Sequence, residues 1–546
     1  VTRLATVLDT PVDKVKSAIE DPRQSPLQPA VVAEDVSLDK ITYIREHAEL
    51  FPAVDYMQGT ERIYAQPGIA AHVLGYVAQI NGEDLAEKEE LGYRAGDVIG
   101  KTGVERAYES VLRGTPGRTV LEVDKRNRVV RVVSEEPPKA GADLYLTIDI
   151  NLQRAAELAL ANGVMTARAT YDSDNKKNFV APAGAAVALD PRDGAVMALA
   201  SYPTYDPAVF VGGISNADFA ALQSNGAPLN NRATQGLYAP GSTFKPITAI
   251  AAINDGVIAP STSIRDTGTY VVQGKCTGDC DYDNAGKTAH GVVNLTSALT
   301  VSSNVYFYAL GDDFYQRRSQ LGDGIQDTAR QFGLAETSGI ETAEATGRVS
   351  DEASRKALHE KNPVAFPESR WFVGDNIQMA VGQSETVATP LQIANVYSTV
   401  ANGGSLYTPH FGLRAVSPEG VEVFKYQPTV KRTVEMGPAT RQAIVEGLAG
   451  AVNAPSGTAF SAFAGSGLAD AGWLTAGKTG TAQGLRKQDT SLFTGFAPIN
   501  DPKLVVSVVV EEAGYGGAIA APTARQIFQA AAGISPTPIR TSVVLD

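Results

Sequence analysis

The chain has 546 residues, with 47 basic against 60 acidic side chains and a net charge of -13. That balance, without any basic block or basic run interleaved with aromatics, argues against nucleic acid as a partner. No window of about 18 or more apolar residues occurs, so the sequence as it stands carries no membrane-spanning helix.

Length suggests roughly two to four domains, and no internal repeat or low-complexity tract is present. Residues 1–140 read as an extended pedestal of mixed α/β structure, of which the first 55 or so show no assignable pattern. A charged, proline-rich linker at Glu135-Glu136-Pro137-Pro138-Lys139-Ala140-Gly141 marks a boundary. Residues 144–546 follow as the second unit, opening with a strand and a helix. Within it, Ala185–Asp190 and Ala195–Ala200 flank Pro191-Arg192-Asp193-Gly194, a β-hairpin signal.

Further on, Ser242-Thr243-Phe244-Lys245 opens an apolar run to Ile253 that stops at Asn254-Asp255-Gly256 and reads as a buried helix. Pro246 falls in the first turn, where its missing N–H costs nothing. Ser242 would lie at the helix N-terminus, where the dipole favours negative charge on its oxygen, with Lys245 on the same face. Cys276 and Cys280 flank a turn-like Thr277-Gly278-Asp279, a spacing open to a small, strained disulfide outside the cytoplasm. With His290 as the only nearby histidine, the cysteines do not make a zinc site, and no metal or cofactor is expected.

Leu295–Phe307 reads as a helix, a short break at Ser302-Ser303-Asn304, and a second helix. Ser302 and Asn304 are either polar groups exposed by the break or simple caps of the helix that follows. Trp473–Gln483, Ser491–Pro498 and Lys503–Val510 read as consecutive antiparallel strands, the first carrying Lys478-Thr479-Gly480.

Each short motif alone is weak, since Ser-x-x-Lys is expected by chance about once or twice in a chain this long. Ser37 to Lys40 and Ser173 to Lys176 also fit it, and Ser173-Asp174-Asn175 fits the second motif, but all lie in polar stretches without apolar periodicity. Lys101-Thr102-Gly103 duplicates the third, yet it opens an ordinary helix and precedes any nucleophile. The copies at 242, 302 and 478 instead describe an acyl-transfer site built on a serine and two lysines.

Those three motifs, in that order, resemble the active-site serine penicillin-recognising enzymes. Ala70–Val77, Gly100–Glu105, Leu144–Asp149 with Leu152-Gln153, Thr389-Pro390-Leu391-Gln392 and Lys478–Gln483 narrow the resemblance to the class B penicillin-binding proteins, from about residue 60 to the end. The resemblance implies an α/β fold: a C-terminal transpeptidase domain, with an antiparallel sheet packed with helices plus a helical subdomain, behind an elongated mixed α/β pedestal. It places the early hairpin and the late strands in one sheet, with helices between 242 and 400 on its face.

It also implies a peptidoglycan D,D-transpeptidase that crosslinks stem peptides through a serine acyl-enzyme and is inhibited covalently by β-lactams. Ser242 would be the nucleophile and Lys245 its base; Ser302 would relay the proton and Asn304 hold the substrate amide. Lys478 and Thr479 would bind the terminal carboxylate beside Gly480, and the N–H groups of Ser242 and Thr481 would form the oxyanion hole. The expected partners are stem peptides, β-lactams and a membrane glycan polymerase of the SEDS type.

The family's usual N-terminal membrane helix and Asp-Arg-x-Gly segment have no counterpart here, and the chain starts at Val1, which suggests a truncated or processed form. The resemblance places the whole protein on the extracytoplasmic face of the bacterial membrane. Competing readings are a serine β-lactamase or D,D-carboxypeptidase, and a β-lactam sensor. A β-lactamase needs a group that activates water, and no Glu-x-x-Leu-Asn occurs between Asn304 and Lys478; the sensor lacks its membrane helices here. A Ser-His-Asp hydrolase is disfavoured by the missing Gly-x-Ser-x-Gly, and a scaffold would have lost one motif.

Overall fold

The computed structural model describes residues 1–21, 29–57, 59–125, 129–224, 226–272, 280–483 and 487–539. Cys276 lies outside these, and with it the pairing with Cys280. Among the described residues no helix is long and apolar enough to cross a membrane.

The C-terminal unit is built on a five-stranded antiparallel sheet. Its strands are β1 (Gly184–Leu189), β2 (Val196–Tyr202), β3 (Ala476–Ala482), β4 (Thr490–Ala497) and β5 (Leu504–Val510), in the order β3-β4-β5-β1-β2. The early hairpin thus joins the late strands, Val505 facing Leu189 and Val510 facing Gly184. Runs such as Leu-Val-Val-Ser-Val-Val-Val lack polar alternation because both faces of the sheet are covered.

On one face, Ala186, Ala188, Val506 and Val508 pack against helices α1 (Ile150–Ala169) and, near the C-terminus, Ala520–Ala531. Asp149 caps α1 by accepting from the N–H groups of Asn151 and Leu152, and the buried stripe Leu152, Ala156, Ala159, Leu160 and Val164 follows at helical spacing. On the other face, Val187, Leu189 and Val505 share one core with α2 (Lys245–Asn254), α3 (Leu295–Val301), α4 (Asn304–Gln316) and α5 (Pro390–Asn402), of which α5 lies directly on the strands. Burying each Val, Leu or Ile of this core contributes roughly 1.5–3 kcal/mol.

In the N-terminal part, short helices Thr2–Val7 and Val12–Ile19 close a small cluster of Leu4, Ala5, Val15 and Phe51. The paired strands Arg118–Val123 and Val129–Glu136 are exposed at every residue. The strand Asp143–Leu146 then pairs antiparallel with Gly412–Val416 of the C-terminal unit. Tyr108 donates from its hydroxyl to Glu341 Oε1 at 2.8 Å, and Glu341 also accepts from the N–H groups of Phe411 and Gly412.

Candidate active site

Ser242 sits in a tight turn, Gly241–Phe244, that leads directly into α2, with Pro246 in the first helical turn. Gly241 (φ 53°) donates its N–H to the carbonyl of Gly382 at 2.8 Å. A Cβ on Gly382 (φ 74°) would stand 2.2 Å from the Gly241 carbonyl oxygen, so only glycine allows this approach. The strand β3 also lies close: a Cβ on Gly241 would come 2.8 Å from the Thr481 carbonyl oxygen. Gln383 Nε2 donates to that same Thr481 carbonyl at 2.9 Å.

Lys245 is fully buried. Its Nζ donates to the Ser302 carbonyl at 2.8 Å, to Ser302 Oγ at 3.1 Å and to Asn304 Oδ1 at 2.7 Å, and it lies 5.3 Å from the centre of the Phe307 ring. Ser302 Oγ in turn donates to Ser242 Oγ at 3.2 Å. Residues about sixty positions apart therefore share one hydrogen-bonded chain.

The break between α3 and α4 supplies this contact. Ser302 adopts a left-handed backbone (φ 60°, ψ 34°), which for a residue with a Cβ costs roughly 1–2 kcal/mol and must be held by its surroundings. The cap of α4 is neither Ser302 nor Asn304 but Ser303, whose side chain accepts from the N–H of Tyr306. Asn304 Nδ2 reaches the carbonyl of Asp283 at 3.4 Å.

Lys478 and Thr479 are also buried, on β3. Lys478 Nζ donates to the Thr479 carbonyl at 3.3 Å, while the Thr479 and Thr458 hydroxyls share a 2.6 Å bond. Gly480 faces the turn that carries Ser242, where a Cβ would stand 3.0 Å from the Pro240 carbonyl. Thr481 Oγ1 accepts from the N–H of Gly516 at 3.4 Å.

The rival motifs stay apart from this cluster. Lys40 pairs with Asp9 on an exposed surface, and Ser173 to Lys176 form the turn between two short strands, Tyr171–Asp172 and Lys177–Asn178. Lys101 pairs with Asp84, and Thr102 precedes the short helix Gly103–Ala107. Thr458, Gly382 and Gln383 belong to the site without having been singled out in the sequence, where no motif marks them. Among the described residues no group of three or more His, Cys, Asp or Glu is arranged to hold a metal ion.

Residues 184–529 match the penicillin binding protein transpeptidase domain, and residues 1–146 match the penicillin-binding protein dimerisation domain. The latter takes in the first 55 residues, for which the sequence alone showed no pattern. The chain is 34% identical over 523 residues to the peptidoglycan D,D-transpeptidase MrdA of Haemophilus influenzae, covering 92% of this chain and 74% of that protein.

Among solved structures it resembles the penicillin-binding protein PBP2 of Helicobacter pylori in complex with MreC (TM-score 0.78, 25% identity, 97% of this chain and 90% of that one). It also resembles a chain of a peptidoglycan synthase complex that coordinates polymerization and crosslinking (TM-score 0.71, 31% identity, 98% and 85%). A third likeness is to penicillin-binding protein A of Mycobacterium tuberculosis as its imipenem acyl-enzyme (TM-score 0.62, 25% identity, 86% and 92%).

Proposed function

Because the chain belongs to the class B penicillin-binding proteins, as a peptidoglycan D,D-transpeptidase of the MrdA type, we propose that Ser242 is its nucleophile and Lys245 its general base. The observation that carries this is the hydrogen-bonded chain from Ser242 through Ser302 to Lys245.

Ser242 Oγ attacks the carbonyl carbon of the penultimate D-alanine, and its proton passes to Lys245, which must be neutral to accept it. The tetrahedral oxyanion is held by the N–H groups of Ser242 and Thr481, each worth roughly 3–4 kcal/mol when removed. Ser302 delivers the proton to the departing D-alanine amine. Asn304 orients the substrate amide, and Lys478 and Thr479, beside Gly480, receive the terminal carboxylate. An amine from a neighbouring stem peptide then attacks the ester, regenerates Ser242 and forms the crosslink. A β-lactam enters by the same attack and stays as a stable ester.

The proposed division is a pedestal over 1–140 and a transpeptidase unit over 144–546. The likeness to a chain of a peptidoglycan synthase complex supports a membrane glycan polymerase of the SEDS type as partner. The kinship to MrdA supports a place on the extracytoplasmic face of the bacterial membrane.

The test is intact-protein mass over hours after mixing with a penicillin, beside a Ser242→Ala control. A lasting adduct of one drug mass, absent from the control, is expected. An adduct on the control removes Ser242 as nucleophile, and an adduct that disappears while drug is consumed makes the chain a β-lactamase.

A further inference from the structure

Behind the Ser302–Asn304 segment lies a second polar layer, centred on a carboxylate that no motif marks. Asp266 ends a short strand, Ile264–Asp266, and is 1% exposed. Its Oδ2 accepts from Ser303 Oγ at 2.5 Å and from Asn284 Nδ2 at 2.9 Å; its Oδ1 accepts from Asn284 Nδ2 at 2.8 Å and from the N–H of Gly268 at 2.8 Å. Asn284, itself buried, turns its Oδ1 towards α4 and accepts from the N–H groups of Asn304 at 2.8 Å and Val305 at 3.1 Å. Ser303 Oγ accepts from the N–H of Tyr306 at 3.1 Å. The first three N–H groups of α4 thus end on two side chains, and both of those side chains are held by Asp266.

We propose that Asp266 is a positioning residue for acylation: it clamps Ser303 and Asn284, and through them holds Ser302 and Asn304 against Lys245. The inference rests on the transpeptidase reading above and deepens it. Ser303 is bonded covalently to both residues that accept from Lys245 Nζ, and Ser302 is held in a left-handed conformation that relaxes if its neighbour is released. A buried carboxylate is a costly way to fill space, because apolar packing serves stability as well or better. What the carboxylate adds is short, directional hydrogen bonds. Reacting groups tolerate little misplacement, and a shift near 1 Å can cost about 100-fold in rate.

The test uses the full chain and stopped-flow mixing with a fluorescent penicillin, which separates the dissociation constant of the first complex from the first-order acylation constant. Asp266→Asn and Ser303→Ala are each expected to lower the acylation constant about 10- to 100-fold, with the dissociation constant changed by less than about threefold. Ser303→Thr, which restores the hydroxyl, should recover most of the loss. Combining Asp266→Asn with Ser303→Ala should add little to either, since both break one link.

An acylation constant within about twofold of wild type in folded Ser303→Ala, whatever its Tm, overturns the proposal. So does failure of Ser303→Thr to recover activity. Should Asp266→Asn not fold, the Ser303 pair decides alone. A wild-type chain that forms no adduct brings down the transpeptidase reading itself, and is told apart by that control.

Discussion

Ser302 Oγ lies 3.2 Å from Ser242 Oγ and 3.1 Å from Lys245 Nζ, so one hydroxyl joins the Ser242 oxygen to the Lys245 amine. Hydroxyl protons rotate, and the chain can run in either direction once Lys245 is neutral. Ser302→Ala should slow acylation by about 10²- to 10⁴-fold without moving the Tm by more than a few degrees. Near-normal acylation of that variant by a fluorescent penicillin would falsify the relay.

Lys245→Met keeps the buried stem and removes the amine. Acylation should fall by a similar factor, about 10²- to 10⁴-fold, while the protein keeps its cooperative melt. A variant that still acylates at the wild-type rate means that another group takes the Ser242 proton.

Thr458 reaches Thr479 from outside the sheet, hydroxyl to hydroxyl at 2.6 Å in a buried setting. Thr458→Val leaves the Thr479 hydroxyl without that partner and should cost about 1–3 kcal/mol of stability. Since Thr479 is the proposed carboxylate ligand, KM for a D-alanyl-D-alanine ester should rise more than kcat falls. An unchanged KM would confine Thr458 to a packing role.

Gly382→Ala places a methyl group where only 2.2 Å separates it from the Gly241 carbonyl oxygen. The turn that carries Ser242 must then move, and overpacking of this kind costs about 1–3 kcal/mol. The measurable consequence is a drop in both Tm and acylation rate. Full retention of both would show that the approach is looser than described.

His72 donates from Nε2 to the Pro228 carbonyl at 2.7 Å and meets the Tyr205 ring edge-on. Burial pulls its pKa from 6.5 down to about 4, against the raising effect of that hydrogen bond and with a further lowering from Arg232. The unfolded chain therefore takes up a proton near pH 6.5 that the folded chain refuses until about pH 4. Stability is full above pH 6.5 and declines through that window, by about 2 kcal/mol at pH 5. Chemical denaturation of His72→Gln should lose this part of the pH dependence; an unchanged profile would assign it elsewhere.

What could be read from the sequence was whatever repeats with the period of an element or lies within a few residues of itself. Pro246 and the apolar run behind it set α2, and Ser302 to Asn304 announced a break between helices. The valine runs gave the late strands. The cap, however, falls on Ser303, because backbone direction at Ser302 decides which side chain turns back onto α4, and no spacing reports that. Asp266, Asn284 and Thr458 were silent for a related reason: each is a single polar residue in an ordinary segment, made significant only by burial beside a distant element. Gly382 was one glycine among 52, and only its fit against Gly241 sets it apart.

The strand Asp143–Leu146 is stitched to Gly412–Val416, and Glu341 ties Tyr108 to the backbone just before that strand. A load pulling on the N-terminal part is therefore carried into the C-terminal unit through a ladder of backbone bonds and a carboxylate clamp. The junction is stiff, and Ala70, Val73, Val104 and Tyr108 share one core with α2 and α5. Heat or force should therefore unfold the segment that carries Ala70 to Tyr108 together with the C-terminal unit, while the separate cluster of Leu4, Ala5, Val15 and Phe51 yields on its own.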